Sequence, residues 1–131
     1  MNHFLGLHHI AIICSDYAKS KHFYVNLLGF TVLNEVYREE KKSYKLDLAL
    51  NGIYLIELFS FPNPPQRITQ PEACGLRHLA FSVKDIEKTV KDLKEKEITC
   101  EAIRIDAITG KKFTFFFDPD QLPIEIYENQ M

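Results

Sequence analysis

The sequence has no basic run, no CxxC pair and no apolar stretch long enough to span a bilayer. Lys plus Arg number 16 against 18 for Asp plus Glu. Without a basic stripe interleaved with aromatic residues there is no track for phosphates, so no nucleic acid partner is expected. The three cysteines, Cys14, Cys74 and Cys100, are odd in number and widely spaced, which fits a reducing cytoplasm better than a disulfide scaffold. The N-terminal MNHFLGLHHIAIIC is apolar but lacks a positively charged start and a small-residue cleavage site, and Asp16 interrupts it well short of a spanning helix. GxSxG, GxxxxGK and GxGxxG motifs are also missing. These absences predict a soluble, cytoplasmic protein with no membrane partner, folded as one compact domain or as two small modules sharing a core.

What is present is a clause written twice. HHIAIICSD at residues 8–16 returns as RHLAFSVKD at residues 77–85, each with a histidine followed by an aspartate seven places on. The first copy predicts a strand over residues 8–15, where β-branched residues dominate, and then a helix over 17–28 capped by Ser15 or Asp16 and stopped by Gly29. A short strand over 31–35 follows. Tyr44, Leu46, Leu48 and Leu50 then alternate with Lys45, Asp47 and Ala49, the period of a half-buried strand. Asn51-Gly52 turns the chain back into IYLIELFSF.

The stretch FPNPPQRITQPEACG holds four of the six prolines and reads as a crossing between two units. After it the events repeat: a strand over 77–83, a helix capped by Asp85 with Ile86, Val90 and Leu93 as its buried stripe, and strands over 102–105, 112–117 and 124–127. Both halves read βαβββ. The fold class is therefore α+β, with a first module over 7–60, a linker over 61–75 and a second module over 76–128. The two modules are expected to pair into a curved mixed sheet around a shared space.

Strand alternation places His9, Ala11 and Ile13 on one face and Ile10, Ile12 and Cys14 on the other; His78, Ala80 and Ser82 likewise oppose Leu79, Phe81 and Val83. The bulky faces must pack the helices, so both histidines point to the emptier face. Glu57 and Glu125, in the final strand of each module, are carboxylates flanked by large apolar residues, where an unpaired charge is costly. A lone histidine or glutamate in a strand is usually structural or edge-exposed. Recurrence at matching places favours two imidazoles and two carboxylates converging on one cation.

These residues resemble the vicinal oxygen chelate (VOC) superfamily and, within it, the glyoxalase I branch. The likeness covers nearly the whole chain, 1–131, as a single VOC domain. HIAIICSDYAKSKHFYVNLLGF is similar to the family's opening strand and helix, HLAFSVKD to its second opening, and FTFFFDPDQLPIEIYE, with its FxDPDxxxxE ending, to its closing hairpin. The resemblance implies paired βαβββ modules and a divalent metal ion (Zn, Ni, Co or Mn) held by His9, Glu57, His78 and Glu125. It also implies a homodimer acting on a small-molecule substrate. Two glutamates favour the glyoxalase I arrangement over the dioxygenases and fosfomycin-modifying enzymes, which typically use two His and one Glu.

The implied function is a metal-dependent isomerase or lyase like lactoylglutathione lyase, of the kind used in methylglyoxal detoxification. It would convert a 2-oxoaldehyde thiol adduct through a metal-stabilised enediolate, with Glu125 as the catalytic base and Glu57 as its partner. The alternatives are a ring-cleaving dioxygenase on the same scaffold and a non-enzymatic drug-binding module. Glutathione-dependent members commonly have an arginine four residues after the first histidine and an asparagine four after the first glutamate; here Ile13 and Phe61 stand there, which leaves the thiol open. Lys111, Lys112 and Arg67, with Arg77, are candidates for attracting an anionic substrate, against the plainer reading of solvated surface charges. His8 is expected on the helix side as a structural histidine.

Overall fold

The computed structural model describes residues 2–130. The chain divides into two compact units, Met1–Gln66 and Arg67–Met131. In the first unit β1 (Ile10–Cys14) leads into α1 (Tyr17–Lys21), which continues as a π-helical turn over His22–Leu27. Three strands follow, β2 (Thr31–Arg38), β3 (Ser43–Leu50) and β4 (Ile53–Ser60). In the second unit β5 (Leu79–Val83) leads into α2 (Ile86–Glu95), then β6 (Arg104–Ile105), β7 (Lys112–Phe117) and β8 (Pro123–Glu128). The sheets are β1-β4-β3-β2 and β5-β8-β7-β6. Each is a βαβββ unit whose first strand runs parallel to its last, and the class is α+β.

The caps fall where the repeated aspartates put them. The Asp16 carboxylate accepts from the Lys19 N–H and that of Asp85 from the Lys88 N–H, each at 3.1 Å, meeting one of the donors that a helix start leaves open. The first helix differs from the regular one expected over 17–28. Leu28 donates to the Phe23 carbonyl at 2.9 Å, five residues back. The wider turn brings adjacent Phe23 and Tyr24 into the core together, at 6% and 0% exposure; at 3.6 residues per turn neighbours point about 100° apart. Gly29, at φ 86°, then releases the chain.

Two strands are shorter than the sequence suggests at their starts, because β1 begins at Ile10 and β5 at Leu79. His9 and His78 therefore sit one residue ahead of the ladder. The expected strand over 102–105 is reduced to Arg104–Ile105. Asn51 and Gly52, at φ 51° and 79°, form the tight turn between β3 and β4.

Each sheet buries one face. Leu46, Leu48, Ile56 and Leu58 are fully buried in the first unit, and Ile124 and Thr114 in the second, where Ile86 of α2 is also fully buried. The opposite faces carry the polar and aromatic residues described next. No helix among the described residues is long and apolar enough to cross a membrane.

Candidate functional site

Parallel pairing of first and last strands sets the position of every candidate ligand. In the first unit Ala11 lies opposite Glu57, and in the second Ala80 lies opposite Glu125. The small alanines are exposed and leave room on that face. His9 and His78, two residues earlier, reach the glutamates with the same geometry: Nε2 to Oε1 is 3.6 Å in both. That is too long for a hydrogen bond. It matches the roughly 3.4 Å between two donors that each lie about 2.1 Å from one tetrahedral ion. The glutamate side chains are mostly buried, at 15% and 17% exposure, so each needs a cation or a hydrogen bond.

The two pairs have different surroundings. In the first unit the Glu57 Oε2 accepts from the Tyr54 hydroxyl at 3.2 Å and lies 3.3 Å from the Lys45 ammonium. Lys45 also pairs with Asp47 at 2.8 Å, and the Tyr54 hydroxyl reaches Asp47 at 3.0 Å. The Tyr54 ring stacks on the His9 imidazole, with centroids 5.2 Å apart. Burial, and then the hydrogen bond to Asp47, push the Tyr54 phenol far above its ordinary pKa, so it stays a donor. The hydrogen bond to Asp47 raises Lys45 as well and keeps it charged. His8 is found beside His9, with their Nδ1 atoms 2.8 Å apart, and edge-on to Tyr54; it is exposed there rather than packed on the helix side as expected.

Tyr54 arrives at this face because of a bulge. β3 pairs Leu48 with Ile56 and Ala49 with Tyr54, so Leu55 has no opposite number. The extra residue re-aims Tyr54 to the side of Glu57 and shifts Asp47 directly opposite Glu57.

In the second unit the same places are apolar. Phe115 lies opposite Glu125 where Asp47 lies opposite Glu57, and Phe113 takes the place of Lys45. The Phe115 ring meets His78 edge-on at 5.1 Å. Among the described residues the Glu125 carboxylate has no hydrogen-bond donor, and His78 is its ion-pair partner. His78 Nδ1 lies 3.2 Å from the Arg77 guanidinium. Arginine can only donate, so Nδ1 accepts and the neutral ring carries its proton on Nε2, facing Glu125.

Of the other candidates, Lys111 reaches Asn129 at 3.1 Å. Lys112 shares a strand face with buried Thr114 and Phe116 and pairs with Glu87 of α2 at 2.7 Å, on the face opposite Glu125. Arg67 lies at a small cavity considered below. Ile13 is exposed, and Phe61 lies 5.7 Å from the Arg38 guanidinium. A trio that the sequence did not suggest, Asp85, Glu87 and Glu128, has carboxylate oxygens within 4.8 Å of one another. All three are engaged at the start of α2: Asp85 caps it, Glu128 accepts from the Ile86 N–H at 3.0 Å, and Glu87 pairs with Lys112.

Comparison with known proteins agrees with this architecture. YwkD of Bacillus subtilis is 69% identical over 123 residues, covering 94% of this chain and 96% of that protein. The crystal structure of a glyoxalase family protein from Enterococcus faecalis superposes with a TM-score of 0.89 at 51% identity, covering 95% of this chain and 98% of that one. The metallothiol transferase FosB of Staphylococcus haemolyticus is 30% identical, covering 96% of this chain and 85% of FosB. The family model of the Glyoxalase/Bleomycin resistance protein/Dioxygenase superfamily matches residues 6–126. With nearly its whole length matched, the chain belongs to that superfamily, the vicinal oxygen chelate family.

Proposed function

We propose that this protein is a metal-dependent isomerase of the glyoxalase I type, acting on the adduct of a 2-oxoaldehyde with a thiol. The observation that carries the reading is the repeated His–Glu pair, held at 3.6 Å in both units. His9, Glu57, His78 and Glu125 would hold one divalent ion, and the mixed nitrogen and carboxylate set suits Zn, Ni, Co or Mn. His78 offers Nε2 to the ion once the Arg77 contact is given up and the ring proton sits on Nδ1 instead, the neutral tautomer that leaves Nε2 free as a donor. When bound, the ion supplies Lewis acidity that stabilises negative charge on the substrate's oxygens.

The chain's own carboxylates do the proton work. Glu57 is tied by Tyr54 and Lys45 and is suited to stay in place. Glu125, with no such ties and with Phe115 beside it to exclude water, is the base. It removes the proton from the carbon bearing sulfur and hydroxyl and returns it to the adjacent carbonyl carbon, while the hydroxyl proton passes to the former ketone oxygen. The adduct becomes a 2-hydroxyacyl thioester with no net gain or loss of atoms or electrons.

The similarity to FosB supports a second reading, transfer of a thiol to a small electrophile using the same residues. A homodimer belongs to the proposal, since pairing would cover β2, an edge strand that exposes Val32, Leu33, Val36 and Tyr37. The deciding experiment reconstitutes the protein with each ion. It then follows methylglyoxal adducts of glutathione, bacillithiol and coenzyme A, with an electrophilic epoxide plus each thiol in parallel. Thioester formation confirms the isomerase, and thiol addition to the epoxide alone transfers the assignment to the second reading. If neither product forms at one bound ion per His₂Glu₂ set, both are overturned.

A further inference from the structure

Beside the His78–Glu125 pair, within the second unit, lies a cavity of about 140 Å³. Its lining includes Arg67, Thr69, Arg77, Arg104, Phe115 and Phe117. Phe115 connects the two places, facing Glu125 across the β7–β8 ladder and touching the His78 ring. The volume is below the roughly 300–1,000 Å³ that encloses a drug-sized ligand. It admits one small group of a larger molecule, not the whole of it.

The charges decide which group. Arg77 is paired with Glu72, and Arg104 with Glu101 at 3.3 Å while lying over the Phe113 ring at 5.0 Å. Among the described residues Arg67 has no carboxylate partner. Its Nε donates to the Thr69 hydroxyl at 3.2 Å, and one terminal nitrogen donates to the carbonyls of Leu76 and Arg77 at 2.8 and 3.0 Å. Thr69 is itself held by donation to the Gln121 carbonyl at 2.8 Å. The guanidinium is thus fixed in place before any ligand arrives, half-buried, with its other terminal nitrogen making no hydrogen bond to the described residues. Three arginines against Glu72 and Glu101 leave the lining with one net positive charge, and Arg67 is its source. A staple between two parts of the loop ahead of β5 needs those carbonyl bonds but not an uncompensated cation.

We propose that this cavity binds an oxyanion group of the substrate, with Arg67 as its principal cation, so that the thiol or small molecule processed at Glu125 carries a carboxylate or phosphonate. This rests on the isomerase reading for the substrate's identity but not for the binding itself. It supplies an anion grip where Ile13 and Phe61 offer none.

The test titrates the full chain, without added metal, with acetate, methylphosphonate and neutral acetamide, following backbone amide resonances by NMR. The expected result is saturable shifts at Thr69, Phe115 and Phe117 with at least one anion and none with acetamide. The anion that shifts them more tightly names the group. Arg67→Met should weaken binding at least fivefold. Glu101→Gln removes only the half-exposed partner of Arg104, adds one net charge, and should tighten binding about two- to fivefold. Absence of shifts with both anions, equal shifts with acetamide, or a folded Arg67→Met variant that binds unchanged would overturn the proposal. If Arg67→Met does not fold, Glu101→Gln decides, and unchanged affinity there overturns it. Because no turnover is measured, failure here is separable from failure of the isomerase reading.

Discussion

Glu57 and Glu125 occupy equivalent places yet differ in what restrains them, and this difference sets the sharpest expectation at the scale of single residues. Glu125→Gln keeps the shape and removes the proposed base, so turnover should fall by roughly 10²- to 10⁴-fold while the fold, read by circular dichroism, is unchanged. Tyr54→Phe removes one hydrogen bond from Glu57 and leaves Glu125 untouched. It should lower metal affinity by about tenfold or more, with little change in kcat at saturating ion. The four ligand candidates were legible because strand alternation and duplication pointed to them twice. Tyr54 and the Lys45–Asp47 pair were not. A regular hairpin closed by Asn51-Gly52 would set Asp47 opposite Ile56, and only the bulge at Leu55 brings it to Glu57. Nothing in the residue types announces that extra position.

At the scale of elements the repeated aspartate caps and the β2–α1 contact carry separate predictions. Asp85→Ala should destabilise the protein by about 1 kcal/mol in chemical denaturation, through loss of the bond to the Lys88 N–H. Glu35 on β2 is held below its ordinary 4.5, first by the Lys21 ammonium and then by the Tyr17 hydroxyl. A carboxyl depressed by folding contributes stability above its unfolded pKa and loses it as pH falls through the folded value. Glu35→Gln should therefore be less stable than wild type at pH 7, by under about 1 kcal/mol for so exposed a pair, and the gap should close as pH drops below 4. Strand and helix order was readable from hydrophobic period and turn residues. The π-helical turn was not, since it goes with the burial of Phe23 and Tyr24 side by side, which no apolar spacing announces.

For the whole molecule, ligand linkage gives a measurable shift. An ion present at 100 times its Kd stabilises the native state by about 2.7 kcal/mol, which for a chain of this size raises Tm by several degrees. Chelation should reverse the rise, and the variant His9→Ala with His78→Ala should show none of it. The duplication was evident in the sequence as a pair of matching clauses. The divergence of the halves was not, because Lys45 and Asp47 correspond to Phe113 and Phe115 only through strand registers that no spacing reveals. In each half the strand that begins the unit lies against the strand that ends it. A ribosome-bound or proteolysed fragment lacking the terminal strand thus presents a histidine without its carboxylate. If the proposed four ligands hold the ion, its capture would certify that synthesis has passed residue 125 and that both ends of each half have met, making holo-protein a molecular receipt for completed assembly.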